Sequence, residues 1–68
     1  MLSIGDIVTV TTEYKYMKYI TNQHFGIIRK VYPHPSEEYC AYQVHWLDAG
    51  LSEVLNYILF YSKEIKKI

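Results

Sequence analysis

The stretch Tyr39-Cys40-Ala41-Tyr42-Gln43-Val44-His45-Trp46-Leu47-Asp48, followed at once by Ala49-Gly50, leaves this chain few ways to fold. Tyr42, Val44 and Trp46 fall on one face of it, and Ala41, Gln43 and His45 on the other. A period of two marks a strand buried on one side, and Asp48-Ala49-Gly50 supplies the turn residues that end it. We read it as the central strand of a small antiparallel barrel whose other segments wrap the Trp46 face.

A chain of 68 residues makes one domain, spanning 1–68, near the lower size limit for independent folding. It must pack tightly or lean on a partner. Eight Tyr, two Phe and one Trp, at roughly 150–250 Å² each, exceed what so small an interior holds. The surplus is expected outside, where rings with polar tips mark contact surfaces. Seven basic residues balance seven acidic ones, which argues against nonspecific nucleic-acid binding, a property of basic excess. The single cysteine, Cys40, excludes an internal disulfide and fits a reducing compartment. No run approaches the roughly 20 apolar residues of a membrane span. The expectation is a soluble protein of the cytoplasm, or of a particle assembled there, with no membrane partner.

Along the chain, Ile4–Thr12 opens with an entry turn at Gly5-Asp6 and runs into a strand, because its β-branched side chains suit a pleated surface. Val8 and Val10 are expected to point inward. Glu13–His24 is polar and Tyr-rich, the segment best placed to be a binding loop, and Thr21-Asn22-Gln23-His24 reads as a turn. Phe25–Tyr32 is a second strand whose Gly26 suits a bend or bulge. Pro33 and Pro35 then break the sheet.

Leu51–Ile68 has two readings. Leu51, Val54, Leu55, Ile58 and Leu59 follow helical spacing, and Ser52 is a fitting cap; that gives a three-stranded antiparallel sheet plus a C-terminal helix. The other reading is a short strand over Ser52–Tyr57, an irregular crossing, a tight turn at Ser62-Lys63-Glu64 and an edge strand ending at Ile65 and Ile68. We prefer the second, because three strands alone leave edges open and closing a barrel removes them. The expected core is Val8, Val10, Ile28, Val44, Trp46 and Ile65.

The series Gly5-Asp6-Ile7-Val8-Thr9-Val10, Gly26-Ile27-Ile28, Tyr42-Gln43-Val44-His45-Trp46-Leu47-Asp48 with Gly50, and Glu64-Ile65-Lys66-Lys67-Ile68 resembles the SH3-like small barrels of the KOW and Tudor kind. The resemblance spans nearly the whole chain. It is also similar to short barrel proteins encoded by tailed bacteriophages, which often begin with a Gly-Asp-hydrophobic-Val stretch and end in an acidic-Leu/Ile-x-x-Ile tail. The apolar run Tyr57–Tyr61 departs from the pattern, being longer than such a barrel usually carries before its last turn. The resemblance implies an all-β fold: a small SH3-like antiparallel barrel of about five strands with a short 3-10 turn before the last. Barrels of this class mostly bind peptides, modified side chains or nucleic acid, and fold by itself does not choose among these.

No motif names a reaction. A nucleophile needs a base within reach and a group to orient it. Cys40 with His34 or His45 is the only candidate set, and His45 is expected on the face opposite Cys40, which reads better as a buried small hydrophobe. His24, His34, His45 and Cys40 lack zinc-site spacing, so no metal or cofactor is expected, and no small-molecule substrate. For nucleic acid, Lys15, Lys18, Arg29 and Lys30 are the cationic candidates, with Lys63, Lys66 and Lys67 near the end and Tyr16, Tyr19 and Phe25 for stacking. A Tudor-like cage for a methylated ammonium would draw on Tyr16, Tyr19, Tyr42, Trp46 and Tyr57. The preferred reading is protein contact through Tyr14, Tyr16, Tyr19 and the Tyr32–Glu38 loop, including Tyr32, His34 and Glu37, together with an exposed strand edge. That makes a non-enzymatic interaction module or small structural subunit, phage-encoded by resemblance, whose partner is a host or virion protein or a second copy. Nucleic-acid binding is the alternative.

Overall fold

The computed structural model describes residues 2–11, 20–48, 50, 55 and 58–68. Among the described residues, five strands carry the fold: β1 (Ile7–Val10), β2 (Gly26–Tyr32), β3 (Ala41–Trp46), β4 (Leu59–Tyr61) and β5 (Ile65–Lys67). One 3-10 turn, Glu37–Tyr39, leads into β3, and another, Ser62–Glu64, joins β4 to β5. All ladders are antiparallel, in the order β4-β3-β2-β1-β5. The chain therefore steps from one edge strand of the sheet to the other through a single turn.

The all-β expectation holds, and so do the turn at Ser62-Lys63-Glu64 and the strand that follows it. An uninterrupted C-terminal helix is excluded, because 59–67 is strand, 3-10 turn and strand. The strand expected over Ser52–Tyr57 is corrected at Leu55, which has helical backbone and is buried, as helical spacing of the leucines allows; the other residues of that segment lie outside those described. Gly50 is helical too, and its N–H donates to Asp48 Oδ1 at 3.0 Å, the side-chain turn that stops β3.

Alternation along β3 puts Tyr42, Val44 and Trp46 inside, at 1% exposure or less. Val8, Val10, Ile28, Phe60 and Ile65 meet them, and Ile20 and Leu55 complete a core the sequence only partly announces. The Trp46 and Phe60 rings pack edge to face, 5.4 Å between centroids. Burial pushes the Tyr42 phenol above its ordinary value, so this ring stays uncharged inside.

Gly26 is not the bulge. The register runs Ile28↔Val44 and then Lys30↔Gln43, which makes Arg29 the extra residue. The slip resets the phase of β2, so that Ile28 before it and Val31 after it both turn toward the core. Gly26 serves a different need. A Cβ there would lie 2.5 Å from Val44 Cγ1 and 2.9 Å from Trp46 Cε3, so the position must stay bare for the core to close.

Two further devices hold β1. Thr9 faces away from the core yet is 2% exposed, because the Thr21–His24 turn covers it. Its hydroxyl lies 2.7 Å from the His24 carbonyl and 3.0 Å from that of Asn22, with one proton to share. At the entry turn, Gly5 takes φ +92°, a region that favours glycine. Asp6 N–H donates to the Ser3 carbonyl, and Ser3 N–H donates to Asp6 Oδ2 at 2.8 Å. Lys67 Nζ stands 3.4 Å from Asp6 Oδ1, tying the turn to β5.

The Ser3 N–H bond above all holds the Asp6 carboxyl below its ordinary value, against the opposing effect of burial and with Lys67 adding to it. A carboxyl more acidic in the folded chain than in the unfolded one adds stability above the ordinary carboxylate range. That stability fades as pH falls through the folded value. Asp6→Asn is therefore expected to lower the melting temperature at neutral pH, with the gap to the parent closing as the pH falls below the ordinary carboxylate range. Melting curves across pH check it; a gap that persists in acid assigns the loss to something other than the charge.

Candidate functional site

The outer face of the sheet follows from the register. Tyr32 pairs with Ala41 and Ala41 with Tyr61, so two tyrosines flank a small residue across three adjacent strands. Neighbouring strands are about 4.8 Å apart, which separates the two tyrosine positions by roughly 10 Å with Ala41 as a low floor between them. The next row along the strands is Lys30, Gln43 and Leu59. Tyr39, in the first 3-10 turn, borders a cleft of about 200 Å³ with Glu38, Tyr61 and Lys63. Ser62 donates its hydroxyl to the Glu37 carbonyl at 3.1 Å, which joins the two 3-10 turns and brings Tyr39 beside Tyr61.

Tyr32, Tyr39 and Tyr61 are 39, 56 and 48% exposed, so each presents a ring to solvent while anchored at its base. The Lys30 ammonium sits over the Tyr32 ring at 5.0 Å, and the His34 ring meets Tyr39 edge-on at 5.4 Å. Beyond Lys30, the bulge sets Arg29 beside Gln43, Val44 and His45 around a notch of about 130 Å³. Exposed Glu37 and Glu38 lie at the opposite end, next to Tyr39.

Of the residues expected to carry contacts, Tyr32, His34 and Glu37 are exposed and gather at this corner. Tyr14, Tyr16 and Tyr19, like Lys15 and Lys18, lie outside the described residues. Arg29 and Lys30 are exposed on the same face as Tyr32. Of the other cations expected on a basic side, Lys67 is engaged by Asp6, Lys66 sits on the edge strand β5, and Lys63 lines the cleft beside Tyr61. The aromatic cage is corrected, because Tyr42 and Trp46 are in the core and present no ring to a ligand. Cys40 is 2% exposed, and its thiol lies 3.7 Å from the His34 backbone carbonyl, with the His34 Nδ1 accepting from Ser36 N–H at 3.0 Å. Thiol and imidazole are thus each committed to holding the proline loop. Tyr39, Leu59 and Tyr61 were missed. No local pattern marked any of the three.

Among the described residues, no helix is long and apolar enough to cross a membrane. Comparison with protein-family models, with curated proteins and with solved structures gives no match.

Proposed function

We propose that this chain is a non-enzymatic protein-contact module, an SH3-like small barrel that grips a partner through its outer-face tyrosines. The observation that carries the reading is the cluster of half-exposed tyrosines, Tyr32 and Tyr61 flanking Ala41 on the sheet with Tyr39 beside Tyr61. Tyrosine gives large contact area at low entropic cost, and rings fixed at their base lose little freedom on binding. The barrel reading draws support from the strand order, with both edge strands joined by one 3-10 turn. The sequence resemblance favours a phage setting, with a host or virion protein, or another copy, as partner.

Nucleic acid is the weaker reading. Arg29 and Lys30 beside Tyr32 favour it, yet Glu37, Glu38 and the balanced overall charge oppose a phosphate chain. Replacing Tyr32, Tyr39 and Tyr61 together with Ser is expected to leave the melting temperature within a few degrees of the parent, since all three are exposed. The same variant is expected to lose the partner that the parent retains in pull-down from the native host, identified by mass spectrometry. An unchanged set of captured proteins would overturn the surface assignment.

A further inference from the structure

The tyrosine corner is polarised. Along the strand direction, Arg29 and Lys30 lie on one side of the Tyr32–Ala41–Tyr61 row, and Glu37 and Glu38 on the other. From Ala41, the Arg29 notch lies three extended residues along β3 at Val44, roughly 10 Å at about 3.4 Å per residue, and the glutamates lie in the 3-10 turn that precedes β3. Lys63 stands at the acidic end beside Glu38 and partly offsets it, while Glu64 there is taken up by the Tyr61 N–H at 2.8 Å.

Resting on the protein-contact reading above, we infer that the occupant of this face is a second copy of the chain, docked about a two-fold axis through the tyrosine row. A two-fold contact sets each patch against itself in reverse. Tyr32 and Tyr61 of one copy then meet those of the other, and the basic end of each faces the acidic end of its partner. The notch lined by Arg29, Gln43 and His45 is concave, polar and wide enough to admit a carboxylate, and the second copy supplies Glu37 and Glu38 from its opposite end. Arg is suited to that role by its planar, two-pronged donor set. Zero formal net charge removes the long-range repulsion that keeps charged copies of a small protein apart.

Charge reversal tests this on exposed residues, with thermal melts confirming that each variant folds. In sedimentation equilibrium up to about 1 mM, the parent is expected to show a concentration-dependent dimer. Arg29→Glu with Lys30→Glu sets like charges together at both ends of the pair, and so does Glu37→Lys with Glu38→Lys. Each is expected to weaken the dimer more than about 100-fold. Mixed one to one, the two variants become complementary at both ends, and a heterodimer of near-parental affinity is expected. A parent that stays monomeric throughout, or a mixture that does not recover, overturns the inference. A monomeric parent that still captures a foreign partner through the tyrosines separates this failure from that of the contact reading. A dimer that survives Ser at Tyr32, Tyr39 and Tyr61 places self-association on another surface and overturns it as well.

Discussion

Trp46→Ala is expected to unfold the protein at room temperature or bring it to the edge of unfolding. The indole is 1% exposed and stacks edge-on against Phe60 in the middle of the core. Truncating a buried aromatic to Ala costs about 3–5 kcal/mol, from lost transfer energy and the cavity left behind. A chain of this length has only roughly 3–10 kcal/mol to lose, at 0.05–0.15 kcal/mol per residue. Relaxation is limited here because Val44, Trp46 and Gly26 interlock across two strands. Leu47→Ala, one position along and 57% exposed, is the matched control and should change stability by less than about 0.5 kcal/mol. Melting monitored by circular dichroism distinguishes the two. A Trp46→Ala protein that melts within a few degrees of the parent would reverse the inside–outside assignment of β3 and, with it, the identity of the outer face.

Gly26→Ala has the second largest expected effect, and its sign runs against the usual one. Replacing Gly by Ala at a compatible strand site stabilises by about 0.4–1 kcal/mol, through a less disordered unfolded chain. At position 26 the added methyl would stand 2.5 Å from Val44 Cγ1, 2.9 Å from Trp46 Cε3 and 3.0 Å from the His45 carbonyl. Two of these belong to buried core side chains, and the third is backbone. Overpacking of this kind costs about 1–3 kcal/mol or more, so the net change is destabilising. Combining Gly26→Ala with Val44→Ala removes the closest contact, and the pair should therefore cost less than the sum of the single changes. Denaturant midpoints of the four proteins in that cycle measure the coupling. Additive costs would mean that the strands separate to admit the methyl, leaving no close approach to relieve.

Much of the fold was legible because alternation is strong where one face is wholly buried. Tyr42, Val44 and Trp46 gave β3 its orientation, Val8 and Val10 gave β1, and the Ser62–Glu64 turn gave β5. The misreadings occur where side-chain type carries two meanings. A glycine inside a strand can mark a bulge or a close approach; Gly26 is the second, while the bulge fell on Arg29, which no local signal distinguishes from any exposed strand residue. Leu55 sits in a run that matches helical and strand spacing equally well over a few residues. The candidate surface was legible only in part. Tyr32, His34 and Glu37 lie within six residues of one another, from the end of β2 to the first 3-10 turn, so nearness in sequence found them. Tyr39 and Tyr61 join them through the Ser62–Glu37 hydrogen bond and the β3–β4 register, which are products of the finished sheet.

The pairing of β1 with β5 has a consequence for synthesis on the ribosome. Val8 is matched to Lys67 and Val10 to Ile65, and Ile68 N–H reaches back to the Ile7 carbonyl. At about 5–20 residues per second, roughly 3–12 s separate the emergence of position 8 from that of position 67. Throughout that interval the first strand has one side without its neighbour, and an apolar Ile-Val-Thr-Val ribbon is open to whatever is nearby. Long-range strand pairing is slow to form in any case. For this chain the final three strand residues act as the clasp, and a nascent polypeptide stalled short of them is a sticky, unfinished object.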